Sequence, residues 1–233
     1  MAELIRTAYV MFADGHYNPY GSAQASGGPA WANSARYDIN AEAEDNASAE
    51  MMQGPMLRAL LEDRFQLKLH RETREIPVYA LTVAKGGLKL HALEPGSCPP
   101  RMAQADLLAL LQSGKAPPKF CGSVRFGKGT AEFRGMTLDE FSKNLGRVLD
   151  RPIVEKTGIA GLFDLHLEFA PDETTPGLLP GGALHFTDAP AIDPPGGPSL
   201  FTAMQEQLGL KLEPSKGPGE FLIIDSVERP SDN

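Results

Sequence analysis

One pattern is written three times in this chain: an amphipathic helix, a turn, a strand of alternating character, a corner marked by Gly or Pro, and a second strand. The copies are Met56-LRALLEDRFQLKLHRETREIPVYALTVAK, Thr137-LDEFSKNLGRVLDRPIVEKTGIAGLFDLHLEF and Ser199-LFTAMQEQLGLKLEPSKGPGEFLIIDSV. A helix whose apolar stripe falls at Leu57, Leu60 and Leu61 cannot hide that stripe alone, so it lies on the strands that follow it. Short corners in place of crossover helices make neighbouring strands antiparallel. The expected fold class is therefore α+β: repeated helix-strand-strand units, helices packed on mainly antiparallel sheets, in two similar lobes.

A fourth, incomplete copy opens the chain. Residues 2–10 read as a helix with Leu4, Ile5, Ala8 and Tyr9 on one side, a Gly/Ser/Asn/Pro loop follows through Pro29, and after Trp31 the segment RYDINAEAE alternates like a strand. Pairing the copies two by two gives an N-terminal lobe over residues 1–95 and a C-terminal lobe over 118–233. Between them, residues 96–117 form a Pro-rich insert bracketed by Cys98 and Cys121. Those cysteines either staple the insert, a closure worth roughly 3 kcal/mol in the chain-entropy model, or remain two ordinary thiols. Two thiols without a CxxC do not make a zinc site. In the third copy Thr137 and Glu140 form a capping box, which starts the helix there. From Pro171 to Pro198 the chain is dense in Pro and Gly with no periodicity, and reads as a long loop.

With 233 residues, 42% of them hydrophobic, the chain has the material for a substantial core. No apolar run reaches the roughly 18 residues of a membrane span, and the opening MAELIRTAYVMFADG has no signal-peptide pattern. The formal net charge of -8 argues against a nucleic-acid partner, because that affinity rests on Lys and Arg neutralising phosphates.

No GxSxG elbow, HExxH, P-loop or dinucleotide fingerprint is present. The richest constellation is Asp164, His166 and Glu168, which alternate with Phe163, Leu165, Leu167 and Phe169 and so share the strand face opposite the core. At ~3.3 Å per residue, Asp164 and Glu168 stand roughly 13 Å apart, too far for all three to bind one ion. A second element is needed, and His70 with Glu72 in the second copy is the natural supplier if the two strands pair or face each other. A His/His/carboxylate cluster of that kind would hold a divalent metal such as zinc and acidify its water. The plainer reading makes Asp164, His166 and Glu168 the solvated face of a half-buried strand. In the loops, His16 with Asp14 and His185 with Asp188 are candidate ligand-binding pairs. Trp31 serves either as a buried anchor for its loop or as a ring on which a ligand stacks.

Several phrases carry a family resemblance: SGGPAW before ARYDINAEAE, LLEDRFQLKLHRETREIPVYAL, DRPIVEKTGIAGLFDLHLEFAPD, and PSLFTAMQEQLGLKLE with FLIIDSVERPSDN. Together they resemble a soil-associated family of uncharacterised proteins abundant in acidobacteria, over almost the whole chain. The resemblance implies export, since some family members are fused behind a membrane metallopeptidase of the beta-lactam-sensor type. It also implies units similar to the short N-terminal domains of secretins and TonB-dependent receptors, which bind protein partners. The expected localisation is extracytoplasmic, periplasmic or secreted, and no catalytic residues carry over.

Two functions follow as expectations. The first is a noncatalytic binding or sensor module, without cofactor, recognising a peptide, glycan or protein partner through sheet edges and the Gly/Pro-rich loops. A purely structural oligomerising unit shares its features and differs only in the partner. The second is a metal-assisted hydrolase of esters or phosphoesters built on His166, Asp164 and Glu168 with His70 and Glu72. The arrangement of the histidines separates them.

Overall fold

The computed structural model describes residues 1–18, 21, 23–43, 47–94, 96–99, 109–110, 112–114, 120–127, 129–179 and 197–230. It is α+β with mixed sheets. The chain divides into two compact units, Met1–Ile76 with Pro218–Asn233, and Pro77–Gly217. The division falls inside two long strands, β2 (Lys68–Val83) and β7 (Leu210–Ser226).

In the first unit, helix α1 (Ala2–Arg6) runs on through a π-turn at Thr7–Met11. Strand β1 (Gln24–Gly27) and the short helix α2 (Trp31–Ser34) follow. Helix α3 (Ala49–Met51), a π-turn at Met52–Met56 and helix α4 (Leu57–Arg64) complete the helical layer. Strand order is β1-β7-β2, with β1 parallel to β7 and Gln24 opposite Phe221. Ile5, Ala8, Leu61, Phe65, Leu67, Leu222 and Ile224 are buried together between helices and sheet.

RYDINAEAE is not a strand: residues 35–43 are irregular, and Gln24–Gly27 takes the place beside β7. The alternation there serves one anchor. Tyr37 sets its ring edge-on to Phe65, centroids 5.0 Å apart, and to Trp31, 6.5 Å away, while Asp38 and Asn40 stay with solvent.

The second unit holds a three-stranded antiparallel sheet, order β3-β4-β6, of β3 (Ser123–Phe126), β4 (Thr130–Met136) and β6 (Phe163–Glu168). Helix α5 (Leu138–Leu145) begins at the capping box of Thr137 and Glu140. Strand β5 (Ile153–Glu155) lies parallel to β2 at Tyr79–Leu81. Helix α6 (Leu200–Ala203) is capped by Ser199 and prolonged by a π-turn at Met204–Leu208. Phe133, Met136, Phe141, Leu145, Phe163, Leu167, Leu200 and Met204 form this unit's core.

The three repeats do not fold alike. Copy three is helix-strand-strand, but its corner sends β6 to β4 and leaves β5 with β2, so its two strands belong to different sheets. In the copies that begin at Met56 and Ser199 the expected corner is absent, and one unbroken strand follows a single left-handed residue: Gln66 at φ 48° before β2, Gly209 at φ 68° before β7. The supposed corner residues fit inside strands for stated reasons. The Tyr79 N–H donates to Pro152 O and Leu81 O accepts from the Lys156 N–H, both at 2.9 Å, so odd-numbered residues of β2 turn their backbone groups to the β5 side. Pro77 shares that parity, and its missing donor faces an edge where no strand waits for it. Gly219 is a close approach: a Cβ there would stand 2.4 Å from Ile76 Cδ1.

Candidate functional site

The outer edge of β2 is covered by a strand over only part of its length. β5 occupies it only from Tyr79 to Leu81, and among the described residues no strand pairs with it between Leu69 and Arg74. By the alternation just described, Leu69, Arg71 and Thr73 point their N–H and C=O groups outward. Arg71, Thr73, Arg74 and Glu75 are exposed. Side chains on this stretch are held in defined positions. Arg71 reaches back to donate to Tyr9 O at 2.7 Å and pairs with Glu220 at 3.3 Å. Arg74 grips Glu72 with two bonds of 2.9 and 2.8 Å and lies 5.0 Å over the Phe221 ring. The same pairing holds the Glu72 carboxyl below its ordinary range.

At the start of this strand a cleft of about 380 Å3 is lined by Tyr9, Glu62, Gln66, Leu67, Lys68 and Leu69. The Tyr9 hydroxyl donates to Glu62 Oε1 at 2.8 Å. Burial, and then that bond, pushes its pKa well above the usual phenol range. The Arg58 guanidinium lies 4.8 Å over the Tyr9 ring and donates to Ala13 O at 2.7 Å. Gln66 spans the end of α4 by donating to Asp63 O at 2.6 Å, which offsets its left-handed backbone. Sequence reading missed Tyr9, Arg58, Glu62 and Gln66. Only Gln66 carried a signal, standing at the helix-strand junction where the copy from Ser199 has Gly209.

On β6, Asp164, His166 and Glu168 do share the exposed face. Asp164 is occupied locally: it accepts the Gly135 N–H at 2.8 Å, where β4 bulges, and faces Arg134 at 3.8 Å. The His166 ring sits between two carboxylates, Nε2 3.3 Å from Glu168 and Nδ1 3.8 Å from Glu132 on β4, and stays half exposed. His70 faces Asp225 at 2.9 Å, Glu72 belongs to Arg74, and β2 and β6 lie in different sheets. Among the described residues no group of three His, Cys, Asp or Glu is placed to hold a metal.

His16 Nδ1 lies 4.0 Å from Glu50 Oε2, and its backbone N–H donates to Asp14 in the loop before β1. Trp31 is partly buried on the first unit's core, with Arg229 5.3 Å over its ring. His185 and Asp188 lie outside the described residues, as does most of the 96–117 insert. Cys98 and Cys121 are joined in a disulfide, Cα atoms 5.4 Å apart, against Gly135. No helix among the described residues is long and apolar enough to cross a membrane.

Compared with the curated proteins and with the solved structures, the chain matches none. Over residues 2–227 it matches the model of a family described as "Protein of unknown function (DUF3738)", and the chain belongs to that family.

Proposed function

We propose that this chain is a noncatalytic binding module, working outside the cytoplasm, that takes an extended stretch of a peptide or protein partner as an added strand on β2. The carrying observation is the open edge from Leu69 to Thr73, with its row of outward N–H and C=O groups. Such groups recognise another backbone without special side chains, which suits a motif-poor sequence. The cleft beside Leu67, Lys68 and Leu69 supports the reading by offering a recess for one side chain of the added strand. The Cys98–Cys121 disulfide supports an oxidising compartment.

A displayed library of random peptides about a dozen residues long, screened against dilute protein, tests this. Binders should slow amide exchange at Leu69, Arg71 and Thr73, which exchange fast in the free protein. A library that yields no binder, or binders that leave those three amides unprotected, would overturn the reading.

A further inference from the structure

Of the groups that line the cleft at the start of β2, Glu62 carries a charge that the fold does not use. Its Oε1 accepts the Tyr9 hydroxyl at 2.8 Å, and among the described residues no cation pairs with the carboxylate. Two cations of the first unit are spent elsewhere. Arg58, one turn earlier on α4, donates to Ala13 O and lies over the Tyr9 ring, while Arg71 donates to Tyr9 O and pairs with Glu220. Lys68 lines the cleft between Leu67 and Leu69, and strand alternation turns its exposed side chain to the other face of the sheet. What remains is an apolar wall of Leu67 and Leu69, packed on the first unit's core, beside an aromatic ring and a carboxylate without a counter-ion.

The open edge leads into that cleft. Residues directly opposite one another on neighbouring strands share a face of the sheet. Leu69 points its backbone groups outward and packs its side chain on the core, under the helices. A residue of an added strand beside Leu69 therefore turns its side chain to the same face, where Tyr9 and Glu62 border the cleft. This holds whichever way the added strand runs. The cleft, about 380 Å3, has room for one long side chain. Lysine or arginine meets each part of it: the methylene stem lies along the leucines and the ring, and the charged head reaches Glu62. An acidic side chain would set like charge against Glu62, and an aliphatic one would cover the carboxylate without giving it a partner. The formal net charge of -8 draws a basic segment toward the chain from a distance.

We propose that this cleft is a specificity pocket for a lysine or arginine of the partner, seated beside Leu69 with its charge on Glu62. This rests on the reading of β2 as a strand-addition site and names the chemistry of the segment it takes.

The same displayed library, selected in parallel on the wild type and on Glu62→Gln, provides the test. The glutamine keeps an acceptor for the Tyr9 hydroxyl, and circular dichroism should show an unchanged fold. Wild-type binders should carry Lys or Arg at one fixed position. In a synthetic peptide made from such a binder, norleucine at that position keeps the stem, drops the charge and should weaken binding about tenfold. Against Glu62→Gln the two peptides should bind within about twofold of each other, and Glu62→Lys should select Asp or Glu at that position. Binders that protect the Leu69, Arg71 and Thr73 amides but show no basic position overturn the pocket and leave strand addition standing. A preference for Lys over norleucine that is unchanged in Glu62→Gln does the same. A library without binders, or binders that leave those amides unprotected, overturns both.

Discussion

Tyr9 shows how a single residue ties distant parts of the first unit together. Its hydroxyl holds Glu62, its ring carries the Arg58 guanidinium, and its carbonyl receives Arg71 from β2. The folded protein keeps this phenol protonated to higher pH than the unfolded chain does. A raised folded pKa means the stabilisation is whole below the unfolded value, about 10, and is lost as pH climbs from there toward the folded value. Tyr79, whose phenol burial also pushes up, adds to the same alkaline loss. Urea unfolding measured from pH 8 to 11 should therefore show stability falling above about pH 10, with a shallower fall in Tyr9→Phe. Below pH 9 that variant should be about 1 kcal/mol less stable, having lost a partly buried hydrogen bond. An alkaline slope identical in the two proteins would remove Tyr9 from this role.

At the scale of elements, the bulge of β4 depends on Gly135. Its φ is 56°, its N–H goes to Asp164, and a Cβ would stand 2.6 Å from Cys98 Sγ and 2.9 Å from Cys121 Sγ. Gly135→Ala should cost more than about 1 kcal/mol in urea unfolding, from left-handed strain and crowding together. In a background with both cysteines replaced by Ser the penalty should shrink but persist, because only the crowding is relieved; an unchanged penalty would mean the disulfide does not press on the bulge. Elements with local signals were legible in the sequence. The Thr137–Glu140 capping box and the alternation of FDLHLE both act within a few residues. What escaped was non-local. Whether a proline marks a corner or sits on an open strand edge depends on which neighbour lies beside it, and nothing near Pro77 encodes that. Likewise RYDINAEAE has strand-like alternation, but β7 had already taken Gln24–Gly27 as its partner. The candidate site was legible only in part for the same reason: Tyr9 and Glu62 are 53 residues apart, and only folding makes them a pair.

For the molecule as a whole, the Cys98–Cys121 bond closes a loop across 23 positions around the insert. Removing it should lower stability by about 3 kcal/mol through the unfolded chain's regained freedom, and the melting temperature by roughly 6–12 °C for a chain of this size. Calorimetry with and without reductant measures this, and thiol titration in denaturant of protein kept from reductant should find no free thiol. Two titratable thiols there would withdraw both the stabilisation and the support for an oxidising compartment.

The amide of Gln207 bonds the backbone of Glu168 twice, donating to its carbonyl at 2.8 Å and accepting its N–H at 2.9 Å, as a neighbouring strand would. That strand, β6, ends its sheet, and an unoccupied end is where fibrils begin to grow. A side chain that imitates a peptide group fills the position without offering a further edge behind it, so the sheet is terminated against aggregation at this point by one glutamine.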